Sequence, residues 1–285
     1  MSVVGFIVHE GRGAAVDAAA ALGAALRDDG VEVVRARDAE GTARPDLIVT
    51  VGGDGTFLRG AHEAAELDCP VLGVKVGRLG FLTEVEPADA LGLIRDALAG
   101  RAAIEERLAT TARADGGTAF VPQWGLNEIM VEKRARHRLI RLAVEVDGEY
   151  VTTFSADGVV VATPTGSTAY SFSARGPIVS PDVACLVLTP IAAHMVFDRS
   201  FVLGAHQQVV LEVVGDEPGL LSADGRESVE LAVGSRARIG AAELPARLVR
   251  RADAPPFIAR VRDKFELPGD PTDADDDDGD VGTPG

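Results

Sequence analysis
Asp46-Leu47-Ile48-Val49-Thr50-Val51-Gly52-Gly53-Asp54-Gly55-Thr56 decides how this chain is read. Six residues of short, β-branched, apolar character form a buried-type strand. The strand runs directly into a turn of three glycines around one carboxylate, and a helical segment follows from about Phe57 to Glu66. Such a turn brings backbone close to a ligand, with glycine permitting positive φ and leaving no Cβ in the way. Amides of the turn and of the helix start behind it suit phosphate oxygens. Asp54 sits inside that cradle, where its charge repels phosphate. The placement makes sense if Asp54 accepts a proton from an attacking hydroxyl or holds a cation. The plainer alternative is a helix cap.

Outward from this stretch the pattern repeats. Val3–Val8 reads as a strand, Ala14–Leu26 as a helix ended by Gly30, and Val31–Val34 as a second strand. Cys69–Val74 is a further strand and Ala88–Ala99 a further helix. Alternating strands and helices predict a parallel sheet in an α/β domain over residues 1–99. Beyond it the texture changes to short β-rich runs separated by Gly and Asp, among them Leu142–Tyr150, Val159–Ala162, Val209–Val214 and Val229–Val233. Asp147-Gly148 between alternating segments predicts a hairpin turn. Residues 100–250 are therefore read as a mostly β domain, 251–268 as a segment returning to the first domain, and 269–285, with Asp275–Asp278 in succession, as a disordered acidic tail.

Twenty-eight basic against forty-four acidic residues give a net charge of −16 across 285 residues. A field of that sign argues against nucleic acid and anionic membranes as partners. The lysines are Lys75, Lys133 and Lys264, so nearly all cations are arginine. An acidic, lysine-poor surface fits a salt-loving source; a GC-rich genome gives the same bias. Cys69 and Cys185 sit in apolar surroundings without a CxxC pattern and read as buried thiols in a reducing compartment. No signal peptide or membrane span is read, which predicts a cytoplasmic protein.

Two further stretches carry chemistry. Leu126-Asn127-Glu128-Ile129 offers donors and acceptors suited to ribose hydroxyls or an adenine edge. Ser155 to Ser173 runs from a strand into a turn dense in Thr, Ser and Gly, and holds Tyr170, one of 2 tyrosines. Its hydroxyls and backbone can line a polar ligand and its aromatic ring can stack on a base. No GxxxxGK[ST] is present, and Gly11-Arg12-Gly13 lacks the third glycine of a dinucleotide fingerprint.

In this order and spacing, the three motifs resemble the NAD kinase family. Gly77-Arg78-Leu79-Gly80-Phe81-Leu82 and Ala223-Asp224-Gly225 match segments of the same family. The resemblance runs from about Val3 to Phe257. It implies the NAD kinase/diacylglycerol kinase-like fold and transfer of a phosphoryl group to the adenosine 2′-hydroxyl of NAD. ATP or polyphosphate is the donor and Mg²⁺ or another divalent cation the cofactor, in a homodimer or homotetramer. It also implies that Asp54 is the proton acceptor and that Gly52, Gly53, Gly55, Thr56 and Arg59 face the donor phosphates. Asp54, Gly55, Phe81, Asn127, Glu128, Arg138, Asp157 and Arg226 contact NAD. Thr165, Thr168, Ala169, Tyr170, Ser171, Phe172 and Ser173 surround its adenine. Lys75, Arg175 and Phe201 stand where the family has Asn, Gly and Pro. A lipid kinase and a non-catalytic NAD-binding regulator are the competing readings.

Overall fold
The computed structural model describes residues 1–35, 44–77, 80–115, 123–226 and 228–268. The predicted acidic tail and the Arg78-Leu79 pair of the fourth motif lie outside the described residues.

The first part of the chain alternates as its sequence demands. Strand β1 (Val3–Val8) leads into helix α1 (Gly13–Asp28), then β2 (Glu32–Arg35), β3 (Leu47–Gly52), α2 (Asp54–Glu66), β4 (Val71–Lys75), α3 (Pro87–Leu98) and β5 (Ala103–Arg107). β1 pairs in parallel with β2 and β3, and β3 with β4. Val4, Leu47, Val49, Val51 and Leu72 pack one face of this sheet beneath α1 and α3. On the other face, Ile7, Ile48 and Val71 pack beneath Phe57, Ala61 and Ala64 of α2. Burial on both faces is why these strands read as continuous apolar runs.

The remainder is β-rich. It comprises β6 (Thr110–Asp115), β7 (Gln123–Gly125), β8 (Glu128–Lys133), β9 (Ile140–Val146), β10 (Glu149–Ala156) and β11 (Gly158–Ala162). A short 3-10 turn (Thr165–Thr168) and helix α4 (Tyr170–Ser173) precede β12 (Cys185–Ile191), β13 (Phe201–Gly204), β14 (Val209–Val214), β15 (Gly219–Ala223), β16 (Val229–Leu231) and β17 (Arg236–Ala241). These strands form two antiparallel sheets, ordered β10-β9-β14-β17-β6-β7 and β13-β12-β11-β8-β15-β16. Alternate residues of both turn inward to one core, where Ile129, Val131, Val159 and Val161 meet Leu142, Val144, Phe154, Leu211 and Val213. The Asp147-Gly148 turn joins β9 to β10, with φ of 51° and 86°. Positive φ at both central residues is the hairpin geometry expected of that dipeptide.

The chain then returns. β18 (Ala246–Arg250) pairs in parallel with β4 and antiparallel with β5, completing the order β2-β1-β3-β4-β18-β5, and α5 (Phe257–Phe265) closes the described chain. The sheets therefore divide elsewhere than the sequence-based limits at 99 and 250. β5 and β18 lie inside that β-rich span yet belong to the first sheet. Neither is amphipathic in a way that announces its partners, since pairing to a distant strand leaves no local pattern.

Arg175, which stands in place of a family glycine, has a φ of 68°. A side chain there costs about 1–2 kcal/mol, and glycine's extra freedom in the unfolded chain offsets about 0.5–1 kcal/mol of it. Arg175→Gly is expected to stabilise the protein by about 0.5–1 kcal/mol, read as a raised urea midpoint at unchanged m-value.

Candidate functional site
The Gly52–Thr56 turn stands at the carboxyl end of β3. In the order β2-β1-β3-β4 the chain leaves β1 towards β2 on one side and β3 towards β4 on the other, and such a switch point is where ligands bind in open parallel sheets. None of Gly52, Gly53 and Gly55 takes a positive φ, which corrects the conformational reason given for them from sequence. At Gly52 the reason is space. A Cβ on Gly52 would lie 2.6 Å from Thr56 Oγ1, whereas one on Gly53 or Gly55 would meet nothing within 4 Å. The turn is packed beneath and open above.

Asp54 is the first residue of α2 and does not cap it; Gly53 occupies the cap position. Its carboxylate reaches instead to the loop after β4, accepting hydrogen bonds from the amides of Phe81 at 2.9 Å and Leu82 at 3.1 Å. The approach is close enough that a Cβ on Gly80 would lie 2.1 Å from Asp54 Oδ1. Gly80 was visible in the sequence only as part of a motif, and this contact is its physical role. Arg59 lies one turn along α2, with its guanidinium 3.5 Å from Thr56 Oγ1.

Asn127 and Glu128 are buried where three strand ends converge. Asp224, following β15, has a fully buried side chain. It accepts hydrogen bonds from the amides of Leu126 and Asn127, both at 2.8 Å, and of Glu128 at 3.0 Å. On the opposite side, Thr163 donates its hydroxyl to Leu126 O at 2.6 Å and its amide to Asn127 O at 2.8 Å. The 3-10 turn that follows lies so close that a Cβ on Gly166 would sit 2.0 Å from Asn127 O.

From there Ser171 is buried against Thr189, while Tyr170, Phe172 and Ser173 are exposed and Thr168 and Ala169 half-buried. Thr165 accepts a hydrogen bond from Arg107 at 3.1 Å. Phe172 lies against Phe265 of α5 (4.5 Å between rings), and Phe265 against Phe81 (5.8 Å). The loop that holds Asp54 and the segment after β11 thus share one aromatic cluster, and Phe81, Thr165 and Thr168 line one cavity of about 410 Å³.

Three predicted residues lie apart. Asp157 lies between β10 and β11, paired with Lys133 at 2.5 Å, and Arg138 is in the β8–β9 turn, 3.3 Å from Glu217. Within one chain both stand at the far end of β8 from Glu128, a separation of roughly 16 Å for five residues of strand. Arg226 is exposed in the turn after β15. Conversely His62, which no sequence signal singled out, is buried on α2 with Nε2 3.0 Å from Asp224 and its ring edge-on to Trp124.

The comparisons agree with this fold. Residues 14–102 match the ATP-NAD kinase N-terminal domain and residues 126–251 the ATP-NAD kinase C-terminal domain. The chain belongs to the NAD kinase family. NAD kinase 2 of Streptomyces avermitilis is 39% identical over 93% of this chain and 88% of its own length. The NAD kinase of Symbiobacterium thermophilum is 44% identical over 72% and 73%. An Archaeoglobus fulgidus NAD kinase solved in complex with ATP superposes with a TM-score of 0.72 at 28% identity, covering 93% of this chain and 97% of that one. The yeast NADH kinase complexed with NADH, at 24% identity, shares the fold with a TM-score of 0.83 over 95% and 89%. The protein is a kinase that transfers a phosphoryl group to NAD. The lipid-kinase and regulator readings give way to that assignment. Among the described residues, no helix is long and apolar enough to cross a membrane.

Burial, reinforced by the charge of Asp224, pushes the Glu128 carboxyl up to about 8 from its ordinary 4.5, and its Oε2 has no partner among the described residues. In the unfolded chain this carboxyl ionises near its ordinary value while the folded one stays protonated. Its contribution to stability is thus full below about pH 4.5 and is lost as pH rises towards 8. Thermal melts of Glu128→Gln against wild type are expected to show a difference in Tm that moves in the variant's favour from pH 5 to pH 8. A constant difference refutes a neutral Glu128.

Proposed function
We propose that ATP phosphorylates the adenosine 2′-hydroxyl of NAD at Asp54, with the donor phosphates over the Gly52–Thr56 turn. The observation that carries this is the Asp54 carboxylate. It begins α2 at the open face of the turn and is oriented by two backbone amides from the loop bearing Phe81. Phosphoryl transfer depends mainly on positioning and charge neutralisation. A fixed carboxylate at the acceptor hydroxyl takes its proton as the bond to phosphorus forms. Asn127 and Glu128 hold the ribose, and the Thr165 and Thr168–Ser173 segment surrounds the adenine, with Tyr170 stacking and Phe81 lining the pocket. A neutral Glu128 donates a hydrogen bond where an ionised one would repel the dinucleotide's phosphates.

ATP is favoured over polyphosphate by a cavity of about 610 Å³ beside the turn, lined by Ile7, His9, Val34, Arg35 and Arg59 among others. That size is ordinary for a nucleotide-sized ligand, and a linear polyphosphate has no use for it. His9 Nδ1 is buried without a partner among the described residues. Among the described residues no group of three or more metal-ligating side chains is gathered. Asp54 is the carboxylate that would hold a divalent cation arriving with the donor, and such a cation would neutralise phosphate charge.

Arg138 and Asp157, assigned to the dinucleotide by resemblance alone, stand away from Glu128 within one chain, so the reading includes a homo-oligomer in which a second copy supplies them. Charge repulsion at −16 net charge favours salt-dependent stability.

Purified protein with NAD, Mg²⁺ and ATP is expected to form NADP, and polyphosphate to replace ATP poorly; equal rates with both overturn the donor reading. Asp54→Asn is expected to lose about 10²–10⁴-fold in kcat while its NAD dissociation constant changes little. Activity within a few-fold of wild type removes the proton-acceptor role. Unfolding midpoints are expected to rise between low and molar salt, and no rise refutes the salt dependence.

A further inference from the structure
Asp224 and His62 belong to no step of the proposed reaction, yet they make the densest polar contact near the site. Burying a carboxylate completely is costly unless donors surround it. Asp224 has four: the consecutive amides of Leu126, Asn127 and Glu128, and His62 Nε2. Three of these come from the stretch that bears the predicted NAD ligands. The fourth comes from α2, the helix that begins with Asp54. His62 lies eight residues along that helix from Asp54, about 12 Å at the usual rise. Its ring is also held edge-on by Trp124, centroids 4.8 Å apart. Asp224 takes a φ of 50°, so the turn after β15 is held in a left-handed conformation in which its carboxylate meets all four donors.

We propose that Asp224 and His62 are positioning residues, which set the acceptor-holding Asn127–Glu128 segment in register with Asp54. The inference rests on the assignment of Asp54 and Asn127–Glu128 made above. α2 is fixed to the first sheet by Phe57, Ala61 and Ala64. The Asn127–Glu128 segment is fixed to the β-rich sheets through β8. The two bodies meet at the His62–Asp224 hydrogen bond. Transfer to a hydroxyl requires the acceptor within bonding reach of both Asp54 and the donor phosphorus. A displacement on the order of 1 Å between the bodies slows transfer by up to about 10²-fold while leaving each half-site able to bind.

His62 is the better residue to vary, because Asp224 keeps three amide donors without it and the segment keeps its local shape. His62→Leu fills the space without a donor. His62→Gln restores an N–H at comparable reach, and His62→Asn places the same amide one methylene short. Each variant is assayed for NADP formation with saturating ATP below its melting temperature, alongside the NAD dissociation constant from titration without donor. His62→Leu is expected to lower kcat about 10-fold with NAD dissociation changed less than about threefold. His62→Gln is expected to recover to within about twofold of wild type, and His62→Asn to stay low. The Gln and Asn pair carries the test alone if His62→Leu does not fold. The proposal is overturned if His62→Leu, or His62→Asn, keeps wild-type kcat and loses only melting temperature, or if Gln and Asn behave alike. An inactive wild-type protein in the same assay refutes the kinase reading itself, a result separate from any of these.

Discussion

The pairing of β18 with both β4 and β5 is the constraint on which the remaining architecture hangs. β5 and β18 are hydrogen-bonded neighbours from Ala246↔Arg107 to Arg250↔Ala103. Everything between them is an excursion that leaves the first sheet at one strand and re-enters it at the adjacent one. A β-rich body tethered at two neighbouring points has little freedom to swing. It lies where α2 and the glycine turn already are, and the closing helix α5 packs aromatic rings against Phe81 from one body and Phe172 from the other. Beneath the same joint, Glu84 bridges Arg250 and Arg260, all three buried or nearly so. A buried ion pair of this kind contributes little net stability, but it penalises any arrangement that separates its partners.

Local features of the fold were legible because local rules cause them. Val3–Val8 and Leu47–Gly52 are buried on both faces and so are apolar throughout; Ile140–Val146 is buried on one and so alternates. Asp147-Gly148 has the chemistry its turn requires. The places where sequence reading stopped are places where the cause is non-local. Nothing in Ala103–Arg107, with its Glu-Glu-Arg end, states that it closes a sheet beside a strand some 140 residues later. The glycines of the turn were read as serving both positive φ and clearance, and only clearance, at Gly52, is realised, because φ and space cannot be told apart in a sequence.

The site shows the same division. Asp54, Asn127, Glu128 and Thr163–Ser173 stood out through polarity in unexpected places and through the family resemblance. His62 did not, since one histidine among Ala and Glu on a helix gives no signal until the helix is docked and Asp224 lies opposite. Arg138 and Asp157 were attached to the dinucleotide by resemblance alone, and within one chain the structure puts the length of β8 between them and Glu128.

The charge balance connects fold to chemistry. A chain of net charge −16 that binds two polyanions needs a site whose carboxylates do not act as free charges. Each one is handled differently. Asp224 is surrounded by four donors, so its field is spent on three protein amides and His62. Glu128, beside it and desolvated, is kept neutral. Asp54 is held by two amides, so it is oriented before any substrate arrives. That is the arrangement a proton acceptor needs. In phosphoryl transfer the protein contributes little covalent chemistry, and its work is done by groups whose positions are fixed in advance. The hydrogen bonds that make these three carboxylates tolerable in one acidic protein are the same bonds that fix their geometry.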